Sequence, residues 1–305
     1  MKKILICDPI HKNGVKILQD AGFQVDLETQ ITPQRLLETI PPYDAIIIRS
    51  RTKITREVLN AAENLKVVAR AGVGLDNVDL QYAEEKKILV INSPEAPSNA
   101  VAELVIGLMF ASARNISEAD ATLKQGEWAK KKLMGFEIQG KTLGIIGLGR
   151  IGHSVAKKAR CLGMKVLVYN RSMDRVREQI KEMGAKAASL EEIYRNSHFI
   201  TIHVPLHKST RHMISTPQFN MMREDAIIIN AARGGVIDEK ALKAALDTRR
   251  IKGAALDCFE SEPIPDEDLI CRSNVVCTPH IGAGSVEAST GNSTIVAEKL
   301  VKLLA

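Results

Sequence analysis

The sequence predicts an α/β protein built from two doubly wound parallel-sheet domains, one inserted into the other. Three observations carry this. The first hundred residues alternate short apolar runs with segments of helical spacing, the sign of a parallel α/β unit. A strand-glycine-helix signature, Leu143–Gly152, then opens a second unit of the same kind. With 305 residues the chain is long enough for two cores.

In chain order, strands are expected at Ile4–Cys7, Phe23–Leu27, Ala45–Ile48, Val67–Ala69 and Ile88–Ile91, with Val15, Ile17 and Leu18 on an intervening helix. After Pro94 and Pro97, Val101, Leu104, Val105, Leu108 and Ala111 share one face of a long helix that Ser98 would cap. In the signature, Leu143–Ile146 reads as a strand and Ile151, Val155, Ala159 and Leu162 as the helix after it. Gly147 permits the tight turn, Gly149 lets backbone approach a pyrophosphate, and Gly152 lets the helix pack on the strand. The helix N-terminus offers N–H groups and partial positive charge to phosphates. Further strands are expected at Lys165–Tyr169, His198–His203, Ala226–Asn230, Gly253–Asp257 and Val275–Cys277. A last helix carrying Ile295, Val296, Leu300 and Leu303 returns to the first domain. The expected division is residues 1–97 with 285–305 as a flavodoxin-like substrate domain, and 98–284 as a Rossmann cofactor domain, with hinges near Ser98 and Gly284 and a cleft that closes on the ligand.

Composition narrows the function classes. A hydrophobic share of 45% with 26% charged residues is ordinary for a water-exposed globular chain. The formal charge of +6 suits anionic ligands, yet the densest basic stretch is only Lys124 and Lys130–Lys132 around Trp128, so no nucleic-acid partner is expected. The five cysteines are odd in number and lack CxxC spacing, so reduced, mostly buried thiols and a cytoplasmic location are expected, with no metal. No apolar run reaches membrane-spanning length, and no membrane partner is expected.

Three expected strand ends carry side chains whose chemistry converges. Arg233 lies in Asn230–Gly235, where a planar guanidinium can clamp a carboxylate on two N–H groups. Asp257 ends the next strand, Glu262 follows it, and His280 follows Cys277-Thr-Pro279. An anion clamp, a carboxylate and an imidazole at the carboxyl ends of one parallel sheet are what the oxidation of a 2-hydroxy acid needs. The imidazole takes the hydroxyl proton as hydride leaves carbon, and the carboxylate fixes its tautomer.

On these residues the chain resembles the D-isomer-specific 2-hydroxyacid dehydrogenases over essentially its whole length, and within them the phosphoglycerate dehydrogenase branch. The matching blocks are Arg70–Val78, Gly140–Gly152, Asn230–Asp238, Leu256–Pro263 and Thr278–Ala283, in that order. The resemblance implies that Arg233, Glu262 and His280 are catalytic. It implies cofactor contacts at Val73, Gly147, Gly149, Arg150, Ile151, Gly152, Val204, Pro205, Ala231, Ala232, Asp257, His280, Gly282 and Ala283. It also implies oxidation of D-3-phosphoglycerate on the route to serine, with a glyoxylate/hydroxypyruvate reductase as the alternative within enzymes. Outside enzymes the alternative is an NAD-sensing binding protein like the corepressors built on this fold. The formate dehydrogenases of the family resemble the pattern with Gln at the position of Glu262, and are set aside.

Substrate contacts implied by the resemblance are Arg49 or Arg51 for a second anion, with Val73, Gly74, Arg233 and His280. Lys130 resembles a position that reaches a neighbouring subunit, in a homodimer or homotetramer. Two departures stand out. Asn170, followed by Arg171, occupies the place of the acidic residue that NAD-dependent members set against the ribose, so NAD is expected and NADP remains open. Only 25 residues follow His280, so a regulatory ACT domain and serine feedback through it are not expected.

Overall fold

A computed structural model describes residues 1–304. The chain divides into two compact units, one comprising Met1–Ala100 with the segment that begins at Ala283, the other Val101–Gly282.

The first unit runs β1 (Lys3–Ile6), α1 (Lys12–Asp20), β2 (Gln24–Leu27), α2 (Pro33–Thr39), β3 (Ala45–Ile48), α3 (Arg56–Ala61), β4 (Val67–Arg70), α4 (Leu80–Glu85) and β5 (Leu89–Asn92). Its five strands pair in parallel in the order β2-β1-β3-β4-β5, the doubly wound order of flavodoxin-like domains. Strand β3 is Ala-Ile-Ile-Ile, buried at every position, as a central strand covered on both faces must be.

The chain continues through α5 (Ser98–Arg114) and α6 (Ile116–Lys124), then β6 (Thr142–Ile146), α7 (Arg150–Cys161), β7 (Lys165–Tyr169), a 3-10 turn at Met173–Arg175, α8 (Arg177–Glu182) and β8 (Lys186–Ala187). It goes on with α9 (Leu190–Asn196), β9 (Phe199–Ile202), α10 (Thr216–Met221), β10 (Ile227–Asn230), α11 (Glu239–Asp247), β11 (Gly253–Leu256), α12 (Glu267–Ile270) and β12 (Val275–Cys277). The seven parallel strands lie in the order β12-β11-β10-β9-β6-β7-β8. The sheet order reverses at β6, and ligands of doubly wound sheets bind outside the carboxyl ends at that point. The long α13 (Val286–Leu304) packs on the first unit through Val296, Ala297, Leu300 and Leu304.

Every expected strand is present to within a residue or two. Three local expectations need correction. Ser98 is the first residue of α5 rather than its cap, and its hydroxyl donates to the Pro94 carbonyl at 3.2 Å. Leu303 faces out and Leu304 takes the inward position, a one-residue phase error in a helix with apolar residues at both. The short β8 was not foreseen, since two exposed residues carry no periodicity. Among the described residues, no single helix is long and apolar enough to cross a membrane.

Candidate active site

The glycine turn has the geometry its spacing requires. Gly147 has φ +100°, and a Cβ there would stand 2.6 Å from the His203 carbonyl oxygen. A Cβ on Gly152 would meet the Gly147 oxygen at 2.3 Å, so only glycine lets α7 start this close to the turn. Over Gly149 there is open space within 4 Å, and no side chain caps α7 at this residue. This open, uncapped helix start fits the pyrophosphate of a dinucleotide. Arg150 is exposed at the head of α7 and Ile151 is half-buried against the core.

At the end of β7, Asn170 accepts from the Leu148 amide at 3.2 Å and donates to the Ser172 carbonyl at 3.3 Å, while Arg171 is exposed. Among the described residues, the run 169–172 that ends the strand carries no carboxylate side chain. His203, two residues from Thr201 and hydrogen-bonded to it at 3.0 Å, has its pKa pushed down to about 4 by burial, so it is neutral at physiological pH. Val204 and Pro205 follow it, half-buried and exposed.

Arg233 lies in the loop after β10. Asn230, buried at the strand end, shapes that loop by donating to the Arg233 carbonyl at 2.8 Å and accepting from the Ala232 amide at 3.1 Å. Ala231 is buried and Ala232 half-buried, and the Arg233 guanidinium donates to the Ala232 carbonyl at 2.7 Å. A Cβ on Gly234 would lie 1.7 Å from the Phe259 oxygen, so this loop is pressed against the loop that carries Glu262.

Both carboxylate oxygens of Glu262 are used. Oε1 accepts from the Phe259 amide at 3.0 Å, and Oε2 meets His280 Nδ1 at 2.8 Å. A carboxylate can only accept, so Nδ1 carries the hydrogen and Nε2 of the neutral ring is left as a proton acceptor. His280, just after β12, has φ +53°, in the left-handed region of backbone conformation. Asp257, 1% exposed, holds that turn from below. It accepts from Thr278 Oγ1 at 2.6 Å and from the amides of Ile281 and Gly282, each at 2.8 Å. Its carboxylate therefore faces the protein backbone. A Cβ on Gly282 would sit 3.0 Å from Asp257 Oδ2. Cys258, 2% exposed, lies beside the pair, and burial pushes its thiol pKa up.

Apart from Lys130, the remaining candidates belong to the first unit. Val73 and Gly74 are half-buried in the loop after β4, where Asn92 donates to the Val73 carbonyl at 2.6 Å. Arg51 is engaged by Asp8: its Nε donates to Asp8 Oδ1 at 3.0 Å and its Nη2 to the Cys7 carbonyl at 2.5 Å. The Arg49 backbone amide also donates to Asp8, while among the described residues its guanidinium makes one hydrogen-bond contact, 3.5 Å to the Pro9 carbonyl. Ala283 begins the segment that returns to this unit. Lys130 is exposed in the irregular stretch after α6. Sequence reasoning missed Asn230, Thr278 and Asp8, whose signal is only that each polar residue closes or follows an apolar strand.

Residues 106–282 match the family model described as D-isomer specific 2-hydroxyacid dehydrogenase, NAD binding domain. A D-3-phosphoglycerate dehydrogenase of Methanocaldococcus jannaschii is 48% identical over 305 residues, covering 100% of this chain and 58% of that protein. A hydroxypyruvate reductase of Thermotoga maritima is 41% identical, covering 99% of this chain and 98% of its own. A solved acyclic imino acid reductase in complex with NADPH and D-Arg superposes with a TM-score of 0.87 at 30% identity, covering 99% and 97% of the two chains. The chain belongs to the D-isomer specific 2-hydroxyacid dehydrogenase family, whose matched region here is a nicotinamide-dinucleotide domain. It spans little more than half, 58%, of the length of the archaeal phosphoglycerate dehydrogenase it matches.

Proposed function

We propose that the protein interconverts a D-2-hydroxy acid and its 2-keto acid, with D-3-phosphoglycerate and 3-phosphohydroxypyruvate as the preferred pair. The observation that carries this reading is the 2.8 Å contact between Glu262 Oε2 and His280 Nδ1. It leaves Nε2 to take the hydroxyl proton in oxidation and to return it in reduction. A bound nicotinamide supplies the hydride acceptor and donor. Arg233 holds the substrate carboxylate on its planar guanidinium and polarises the adjoining carbonyl oxygen, favouring charge that builds on that oxygen. Glu262 orients the ring through Oε2, while its second oxygen keeps it tied to the Phe259 amide. Asp257 contributes by holding the His280 turn.

For the phosphate, Arg49 is the better candidate of the two, because Arg51 already serves the buried carboxylate of Asp8. For the dinucleotide, NAD is proposed, with NADP accepted as well, because an amide at Asn170 does not repel a 2′-phosphate and Arg171 stands beside it. A homodimer or homotetramer is also part of the reading, supported by exposed Ile116, Leu123, Trp128 and Met134 along one stretch.

The test is reduction of 3-phosphohydroxypyruvate, hydroxypyruvate and glyoxylate by NADH and by NADPH. The highest kcat/KM should fall on 3-phosphohydroxypyruvate. A preference for hydroxypyruvate would favour a reductase like the Thermotoga relative, which the chain matches over 98% of its length. No turnover with any keto acid would overturn the enzymatic reading in favour of a dinucleotide-binding protein.

A further inference from the structure

We infer that Cys258, Glu262 and His280 form a reversible binding site for a soft divalent cation such as Zn²⁺, and that an ion held there shuts the enzyme off. The three residues reach one spot from two loops. Cys258 and Glu262 lie four positions apart after β11, and His280 comes from the loop after β12. Their ligand atoms, the Cys258 sulfur, a Glu262 oxygen and a His280 ring nitrogen, all lie within 4.8 Å of one another.

A tetrahedral zinc centre with Zn–S near 2.3 Å and Zn–N or Zn–O near 2.0 Å sets ligand atoms about 3.5 Å apart. Small side-chain rotations are therefore enough to close the site. One thiolate, one carboxylate and one imidazole suit Zn²⁺ better than Mg²⁺ or Ca²⁺, which favour all-oxygen sets. Glu262 and His280 are partly exposed and give the ion an entry side, with water as a fourth ligand, while Cys258 is the buried ligand. On binding, the thiol gives up its proton to solvent and a Cys258–metal bond forms. Glu262 Oε2 exchanges its Nδ1–H partner for the ion, and if Nδ1 is the ligating nitrogen its hydrogen moves to Nε2. No oxidation is involved. The ion thereby removes both the carboxylate orientation and the free ring nitrogen that proton transfer needs. The binding claim stands on geometry alone; the inhibition rests on the proposed function.

The test uses the full chain with the two exposed thiols removed, Cys161→Ser and Cys271→Ser, after chelator treatment. Zn²⁺ alone is titrated by calorimetry, and Co²⁺ is added as an optical probe. The expected result is one ion per chain and a sulfur-to-cobalt charge-transfer band. Adding Cys258→Ala should abolish the band and weaken Zn²⁺ binding at least about a hundredfold, since even removing an outer hydrogen-bond partner of a metal ligand costs roughly 10–100-fold. Cys258→Val, closer in volume, serves as a second variant should the alanine form melt early. Keto-acid turnover in metal-free buffer should be unchanged in either variant, while Zn²⁺ should inhibit only the form that retains Cys258, with EDTA restoring it. Absence of the band, or equal Zn²⁺ affinity with and without Cys258, would overturn the site. If no keto acid is turned over, calorimetry and the cobalt band still decide the site, so its failure and that of the proposed function are distinguishable.

Discussion

Replacing Asp257 by alanine tests whether the His280 turn is held as the geometry implies. The carboxylate is 1% exposed and accepts from Thr278 Oγ1 at 2.6 Å and from the Ile281 and Gly282 amides at 2.8 Å. A hydrogen bond to a charged group contributes about 1.5–3 kcal/mol, so the two amides alone represent about 3–6 kcal/mol before relaxation. Ile281 is exposed, and water reaching its amide should bring the net loss to about 3 kcal/mol. For a domain of this size, each kcal/mol moves Tm by roughly 2–4 °C, which gives a drop of about 6–12 °C. Turnover should fall as well, because a displacement of His280 by about 1 Å costs on the order of a hundredfold in rate. Differential scanning calorimetry and steady-state kinetics on the same sample read both effects. A variant that melts within about 2 °C of the parent and keeps its kcat would refute the positioning role, on the same stability scale. A loss of dinucleotide affinity alone would instead make Asp257 a cofactor ligand.

Other predictions separate roles that the site superimposes. Arg49→Ala should lower kcat/KM for 3-phosphohydroxypyruvate by roughly ten- to hundredfold, the equivalent of about 1.5–3 kcal/mol, with a much smaller loss on hydroxypyruvate; equal losses on both would remove the phosphate role. Gly149→Ala should keep the parent Tm, since its Cβ meets nothing within 4 Å, yet weaken dinucleotide binding by about tenfold in a fluorescence titration; an unchanged affinity would place the pyrophosphate elsewhere. Asp8 predicts acid sensitivity in the first unit. Burial raises its pKa, but the Arg49 amide, the Arg51 guanidinium and Thr52 outweigh that and hold the carboxyl below its ordinary range. The unfolded chain then binds more protons in acid. The stabilisation is present above about pH 4 and is lost as pH falls through the depressed folded value. Melts from neutral to acid pH should show Asp8→Asn closing its stability gap to the parent as pH drops. A gap that stays constant would contradict this linkage.

Much of this was legible in the sequence for a physical reason. Central parallel strands are covered on both faces, so runs such as Ile227–Asn230 and Ala45–Ile48 are continuous and apolar, and glycines at Gly147 and Gly152 are demanded by backbone approach. Arg233, Glu262 and His280 were readable as chemical types at strand ends. What was not legible depends on partners distant in sequence. Nothing near Arg51 announces that Asp8, more than forty residues away, takes up its guanidinium. Nor does Asp257, which reads as one more strand-end carboxylate, reveal that its oxygens face the backbone of residues 281 and 282. Cys258 reads as a buried core thiol until the fold brings His280 beside it.

In the proposed reaction His280, oriented by Glu262, carries the proton of hydride transfer. The most direct measurement compares the parent with His280→Ala and Glu262→Gln by single-turnover reduction of 3-phosphohydroxypyruvate, with dinucleotide affinity measured in parallel. Proton transfer by a positioned side chain contributes roughly 10²–10⁴ in rate, so His280→Ala should lose that much while its affinity for the dinucleotide changes little. Glu262→Gln should lose less but in the same step. Near-parental hydride transfer in His280→Ala would contradict the role of His280 as the proton carrier.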